Sequence, residues 1–290
     1  MPKVPANGIE LFYDETGDRN APPLLLVMGF TMQLIGWDAG FVRLLADRGF
    51  RVIRFDNRDV GLSTHLDGVA SHLQDALAGD TSQVPYRLSD MARDVVGLMD
   101  SLGLDAAHVV GASMGGMIAQ VLAIEHPRRV LSLCSIMSTT GDRDVGQATP
   151  EAMAVLMAPQ ATSREGAIAR SIKANQVVSS KVYPPSDELR RARAEAAYDR
   201  AFYPQGVARQ FAAIVASPDR TPALRSVSAP TLVIHGEDDP LTQISGGEAT
   251  ARAISGSTFL RLPGMAHDLP EPLWPRIVDA IAENAARAKG

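Results

Sequence analysis

The sequence predicts an α/β protein with a mainly parallel central sheet, helices on both of its faces and an inserted helical cap. Short apolar runs alternate with longer segments in which apolar residues recur every three or four positions, a pattern typical of strands joined by helices. Several of the short runs are apolar throughout, as expected for parallel strands that are covered on both faces. Residues 138–226 contain no strand-like run, and this interruption predicts the cap.

Seven strands are predicted, each next to turn residues or to a helical segment. The first is expected to be an edge strand, and Thr16-Gly17-Asp18 ends it. The other six are short runs of the kind found inside parallel sheets. In chain order the predicted strands are residues 9–14, 24–27, 52–55, 107–110, 130–137, 231–235 and 258–262.

Five helices are predicted outside the cap from their apolar spacing. Glycines that act as stop signals, Gly49 and Gly103, follow two of them. A polar connection of unusual length, residues 56–85, precedes the second helix. The predicted helices are residues 37–48, 88–102, 114–126, 247–254 and 273–287.

These elements predict a core domain, residues 1–137 and 227–290, and a helical cap, residues 138–226. The net charge of −5 and the lack of a Lys/Arg-rich run argue against a nucleic-acid partner. No apolar run reaches the length of a membrane span, and the first residues lack the apolar segment of a signal peptide. A single cysteine, Cys134, excludes a disulfide framework and a cysteine metal cluster. We therefore expect a soluble, cytoplasmic protein whose oligomeric state the sequence leaves open.

The segment around Ser113 has the pattern of a nucleophile elbow. Gly111 and Gly115 lie two positions before and after the serine, which gives Gly-x-Ser-x-Gly. A serine in a strained backbone conformation brings these two positions close together, and glycine has no Cβ that would clash there. The pentapeptide alone is also compatible with an ordinary glycine-rich turn. Its place between a predicted strand and a predicted helix favours the elbow.

A carboxylate and a histidine follow later strands of the predicted sheet. Asp239 comes after the strand at 231–235, and His267 comes after the strand at 258–262. Because reactive groups gather at the carboxyl ends of parallel strands, both side chains should approach Ser113. A serine nucleophile needs a histidine base, and the histidine needs a carboxylate that fixes its tautomer. Asp238 is the alternative acid, and Asp142, beyond the strand at 130–137, is a third candidate.

An acyl-transfer site also needs backbone N–H groups that bind the oxygen of the tetrahedral intermediate. The amide of Met114, directly after the serine, is the first predicted donor. The amide of Phe30, in the loop after the strand at 24–27, is the second. Together these residues predict a serine hydrolase.

Over nearly its full length the chain resembles the α/β-hydrolase fold serine hydrolases and, more narrowly, the aclacinomycin methylesterase-like carboxylesterases. This resemblance implies a carboxylesterase that acylates Ser113, acts on a small-molecule ester and uses no metal or organic cofactor. In similar hydrolases the acid lies three residues after a strand-ending glycine, here Gly236, which favours Asp239 over Asp238. The motifs that carry the resemblance are Met28-Gly29-Phe30, Asp56-x-Arg58-x-x-Gly61-x-Ser63, the elbow, Gly236-x-x-Asp239 and Gly264-Met265-Ala266-His267.

The same triad serves cofactor-free haloperoxidases or perhydrolases and carbon–carbon bond hydrolases, which stay as alternatives. Epoxide hydrolases and dehalogenases of this fold carry aspartate at the position of Ser113 and are disfavoured. A non-catalytic protein of this fold usually lacks one triad residue, whereas all three positions are filled here. Many relatives have His-Gly where this chain has Met28-Gly29. Methionine cannot make the hydrogen bonds of that histidine, so another group must hold the loop.

The sequence also predicts structural roles for other residues near the ends of the predicted strands. Asp56 and Arg58 should brace the oxyanion loop through an ion pair with each other. His235 should be packed at a strand end, whereas His108 should be exposed at a strand start. Three residues of the cap are expected in its core, with the wall of the pocket as the alternative: Met153, Met157 and Phe211.

Overall fold

The computed structural model describes residues 2–288, and their central element is an eight-stranded sheet with the order β1-β2-β4-β3-β5-β6-β7-β8. The β1–β2 and β2–β4 pairings are antiparallel, and the other five pairings are parallel. This architecture confirms the predicted α/β class. The strands are β1 Lys3–Ala6, β2 Ile9–Thr16, β3 Pro23–Val27, β4 Arg51–Phe55, β5 Ala107–Ala112, β6 Val130–Ile136, β7 Thr231–Gly236 and β8 Thr258–Leu262.

Helices connect the parallel strands, and five of them lie between β6 and β7. The described helices are α1 Ala39–Asp47, α2 Leu73–Leu77, α3 Leu88–Ser101, α4 Met114–Glu125, α5 Pro150–Leu156, α6 Arg164–Val178, α7 Asp187–Arg200, α8 Pro204–Ala216, α9 Thr221–Leu224, α10 Ser245–Ala253 and α11 Trp274–Ala286. Single 3₁₀ turns span Leu34–Gly36, Pro127–Arg129 and Glu271–Leu273.

Two apolar clusters cover the two faces of the sheet. Successive strand residues point to opposite faces, so Leu25 and Val27 of β3 join the cluster with α3 and α4. Leu24 and Leu26 join the other cluster, with α1 and α11. All four side chains are fully buried, which explains why the run is apolar throughout.

The amino-terminal edge of the sheet differs from the prediction. Residues 9–14 were expected at the edge, but β2 lies between β1 and β4, and β1 is the edge strand. The four residues of β1 include Pro5, which has no N–H to donate and is suited to an edge. Such a short strand, exposed at Lys3 and Pro5, has no apolar run that would predict it.

Two expectations about burial are wrong. His108 is buried rather than exposed, because β5 pairs with strands on both sides. Its Nδ1 lies 2.8 Å from Ser132 Oγ, and burial lowers the pKa of the imidazole. Met153 and Met157 are 40% and 46% exposed, because α5 turns Ala152 inward instead.

Candidate active site

Ser113 lies in the sharp turn between β5 and α4. Its φ of +56° is in a region that residues other than glycine rarely adopt. The close approach that the sequence pattern implies is present, since a Cβ on Gly111 would lie 2.1 Å from the Gly115 carbonyl oxygen. A Cβ on Gly115 would lie 2.0 Å from the Val27 carbonyl oxygen. The turn therefore requires glycine at both flanking positions.

The structure brings together the three side chains that the sequence singles out. Ser113 Oγ lies 3.0 Å from His267 Nε2, and His267 Nδ1 lies 2.8 Å from Asp239 Oδ2. A carboxylate can only accept, so Nδ1 carries the proton and donates it to Asp239. Nε2 then has a free lone pair directed at the serine hydroxyl. This arrangement allows the imidazole to remove a proton from Ser113.

Asp239 is buried and held in place by its own loop. Its Oδ1 accepts hydrogen bonds from the backbone N–H groups of Leu241 and Thr242, at 2.9 and 2.8 Å. The alternative acid Asp238 is exposed to solvent. Asp142 is half-buried and caps its own turn by accepting a hydrogen bond from the Asp144 N–H. The carboxylate in contact with His267 is therefore that of Asp239.

A second histidine, His235, stabilises the turn that contains Asp239. His235 is fully buried at the end of β7, as expected, and its Nε2 donates to the Thr242 carbonyl oxygen at 2.7 Å. Burial lowers the pKa of His235, which keeps the imidazole neutral. Its Nε2 also lies 3.6 Å from Asp239 Oδ2. His235 thus fixes the turn that presents the Asp239 carboxylate.

Two backbone amides are available as oxyanion donors next to Ser113. Met114 is the first residue of α4, and Phe30 lies in the loop after β3. Neither N–H donates to an acceptor within residues 2–288. The Phe30 loop approaches the nucleophile closely, since a Cβ on Gly29 would lie 3.1 Å from Ser113 Cβ.

The loop that contains Phe30 is held by two amide side chains. The Asn57 side chain donates to the Met28 carbonyl oxygen at 2.8 Å. Thr31 has a φ of +62°, and its N–H donates to Gln210 Oε1 at 2.9 Å. These two contacts hold the loop, to which the Met28 side chain contributes no hydrogen-bond donor. Gln210 lies on α8, 179 positions from Thr31, so no local sequence pattern could identify it.

The expected ion pair between Asp56 and Arg58 does not form. Arg58 Nε donates to Asp94 of α3 at 2.6 Å, whereas Asp56 lies 2.8 Å from Arg200 Nη2 at the end of α7. Asp56 also accepts from the Leu34 N–H at 2.7 Å. The chain leaves its extended conformation after β4, so the two side chains point to different partners. Asp56 therefore holds the Leu34 turn, and its cationic partner comes from α7.

The loop that carries His267 is also tied to residues 138–226. The His267 backbone N–H donates to the Val178 carbonyl oxygen at 2.9 Å. Ser180 Oγ donates to the Gly264 carbonyl oxygen at 2.5 Å, and the Ser180 N–H donates to Asp268 Oδ1 at 3.1 Å. Burial raises the pKa of Asp268 to about 6. Most of these contacts involve backbone atoms. The pattern of side chains in the sequence therefore could not predict them.

Residues 2–288 contain no cluster of three or more His, Cys, Asp or Glu side chains that could hold a metal ion. None of the helices described in this part of the chain is long and apolar enough to cross a membrane.

A comparison with known proteins matches this chain to a protein family. A family model described as alpha/beta hydrolase fold matches residues 22–271. Rhodomycin D methylesterase DauP from Streptomyces sp. (strain C5) is 27% identical over 303 residues, which cover 97% of this chain and 96% of that protein. The bifunctional esterase/perhydrolase DCH from Acinetobacter calcoaceticus is 24% identical over 275 residues and 91% of each chain.

Solved structures share the architecture over the whole chain. The crystal structure of the enol-lactonase from Burkholderia xenovorans LB400 has a TM-score of 0.77 and covers 99% of this chain and 100% of that one. The two sequences are 24% identical, so this likeness shows the fold alone.

Proposed function

The chain belongs to the α/β-hydrolase fold family, and from this premise we propose that it is a serine carboxylesterase. The observation that carries the proposal is the continuous hydrogen-bonded path from Ser113 Oγ through His267 to Asp239, at 3.0 and 2.8 Å. The likeness to the methylesterase DauP over 97% of the chain supports an ester as the substrate class.

In the proposed mechanism His267 Nε2 removes the proton from Ser113 Oγ as the oxygen attacks the ester carbonyl. The negative oxygen of the tetrahedral intermediate accepts hydrogen bonds from the N–H groups of Phe30 and Met114. The imidazolium, stabilised by Asp239, then protonates the leaving alcohol. Water activated by the same imidazole releases the acid and restores Ser113. Every step uses groups of this chain, so the mechanism needs no cofactor.

We further propose that residues 138–226 act as a cap over this site. The helices α5 to α9 lie in this segment, and their contacts with Thr31, Asp56 and the His267 loop support the assignment. The hydrophobic and polar groups of a cap would select the substrate, while the core domain would perform the chemistry.

Hydrolysis of p-nitrophenyl butyrate by the purified protein tests the proposal. Ser113→Ala should lower kcat/KM by about 10³-fold or more, because it removes the nucleophile. Ser82→Ala, which changes an exposed serine, is the matched control and should match the wild type. A phosphonate inhibitor should modify Ser113, as peptide mass spectrometry would show. Near-normal hydrolysis by Ser113→Ala would rule out the proposed mechanism.

Perhydrolysis is the second candidate, and the likeness to the esterase/perhydrolase DCH favours it. In that reaction hydrogen peroxide replaces water as the acceptor of the acyl group, and a peracid leaves. The test is the same ester assay with added peroxide and direct detection of peracid. A peracid yield that exceeds ester hydrolysis would make perhydrolysis the main activity.

A further inference from the structure

A cavity of about 150 Å³ lies between the cap helices and the loop beside Ser113. One water molecule needs about 10–15 Å³ of such space, so the cavity has room for a short chain with a terminal group. Thr31, the residue after the predicted oxyanion donor Phe30, lines this cavity together with Gln210. Arg170 of α6 lines it as well. Because Thr31 is bonded to Phe30, the cavity begins one residue away from the proposed oxyanion donor.

Arg170 is a cation without a counter-ion among the described residues. No carboxylate lies within ion-pair distance of its guanidinium, and burial alone accounts for the lowered pKa of this side chain. Its Nη2 donates to the Leu156 and Ala158 carbonyl oxygens at 3.5 and 3.2 Å, contacts that orient the group without neutralising it. Its Nε is buried and has no acceptor within residues 2–288.

The only carboxylate among the cavity-lining residues is already neutralised. Asp59 lines the cavity, but Arg209 binds both of its oxygens at 2.8 Å and the Tyr86 hydroxyl donates to it at 2.8 Å. The charge that remains in the lining is therefore the positive charge of Arg170. A buried donor without a partner destabilises the protein, so an anionic oxygen at this position would be favourable.

We propose that Arg170 is a specificity-determining residue that binds a carboxylate at the far end of the acyl group, so that the preferred substrates are monoesters of short dicarboxylic acids. This inference rests on the proposed esterase function and names its substrate class. A guanidinium matches the geometry of a carboxylate and binds it with charge-assisted hydrogen bonds. A neutral acyl chain of the same length would leave the half-buried guanidinium unpaired.

The test compares two esters of the same acyl chain length that differ at its far end, where one is charged and the other is neutral. Mono-p-nitrophenyl adipate carries a free carboxylate, and p-nitrophenyl methyl adipate is its neutral counterpart. Release of p-nitrophenolate gives kcat/KM for each, with Ser113→Ala as the background. We expect the wild type to prefer the charged ester by about tenfold or more, as hydrogen bonds to charged groups are the stronger ones. Arg170→Gln should abolish this preference, so that kcat/KM for the two esters falls within about twofold of each other.

Two further variants make the result specific to the cavity. Arg170→Lys should retain part of the preference, because it keeps the charge and loses the fork geometry. Arg191→Gln removes the same charge from an exposed position on α7, where Arg191 pairs with Glu165 and Glu195. This control should keep the full preference. If Arg170→Gln and Arg191→Gln lost the preference for the charged ester to the same extent, the preference would come from the overall charge of the protein and not from the cavity. That result would overturn the proposal.

Binding of free adipate separates this inference from the proposed function. Isothermal titration calorimetry with Ser113→Ala requires no turnover, and adding Arg170→Gln should raise the Kd by about tenfold or more. If the wild type hydrolyses the neutral ester through Ser113 but neither prefers the charged ester nor binds adipate, the inference fails alone. If neither ester is hydrolysed, the proposed function fails, and the adipate titration still decides whether Arg170 binds a carboxylate.

Discussion

Gln210→Met removes the side-chain link between α8 and the loop that contains Phe30 without a large change in volume. Gln210 Oε1 accepts from the Thr31 N–H at 2.9 Å, and its Nε2 donates to the Arg58 carbonyl oxygen at 2.8 Å. Thr31 needs this support, because a β-branched residue with a φ of +62° is intrinsically strained. Without the hydrogen bond to Gln210, we expect the loop to relax to a less strained conformation. The Phe30 N–H would move with the loop.

The structure sets the size of the expected effect. Each hydrogen bond contributes about 0.5–1.5 kcal/mol net, so the loss of two shifts the loop equilibrium by about 1–3 kcal/mol. Complete loss of one oxyanion donor costs about 2.7–4 kcal/mol, which is the upper limit. At 1.4 kcal/mol per factor of ten, kcat/KM should therefore fall by about 5- to 150-fold. The loss should appear mainly in kcat, because the donor acts on the transition state.

Steady-state hydrolysis of p-nitrophenyl butyrate measures this effect. Gln205→Met, an exposed position on the same helix, is the control and should match the wild type. Gln210→Glu keeps the acceptor for Thr31 but not the donor to Arg58, so its kcat should lie between those of Gln210→Met and the wild type. Thermal unfolding checks that the variants fold. A folded Gln210→Met protein with kcat within twofold of the wild type would refute the positioning role.

Two further predictions concern stability. Gly115→Ala should lower the free energy of unfolding by about 1–3 kcal/mol in urea denaturation, because its Cβ would lie 2.0 Å from the Val27 carbonyl oxygen. Burial raises the pKa of Asp268 to about 6, above the value of about 3.9 in an unfolded chain. The folded state then binds more protons than the unfolded state between these values, so this group costs stability as the pH rises from 4 to 6. Asp268→Asn should therefore raise the urea midpoint at pH 8 but not at pH 3, and equal shifts at both pH values would contradict this account.

The sequence predicts those parts of the structure that depend on the pattern of a few consecutive residues. The runs that became β3, β5, β6 and β7 are largely apolar because both faces of the sheet are covered there, and this requirement is visible in a few consecutive residues. The proximity of Ser113, Asp239 and His267 could be predicted for a related reason. Each lies within five residues of the end of a strand, and parallel strands bring their carboxyl ends to one edge.

Contacts between distant segments carry no such pattern. The pairing of Asp56 with Arg200 rather than with Arg58 depends on where α7 ends over the sheet, which spacing does not reveal. His108 sits at the start of a strand, where exposure is the ordinary expectation, but Phe50 and Ser132 enclose it. The edge strand β1 was missed because it lacks an apolar run altogether.

Residues 138–226 contribute to the geometry around Ser113 as well as to the cavity. They provide Gln210 as the acceptor for the Thr31 N–H and Val178 as the acceptor for the His267 N–H. A movement that carried α8 and the end of α6 away from the core would break both contacts at once. The loops that contain Thr31 and His267 would then lose support in the same step. If this segment acts as the proposed cap, its full opening would therefore disassemble the proposed site, whereas a local movement of α5, whose Met153 is exposed, would leave both contacts intact.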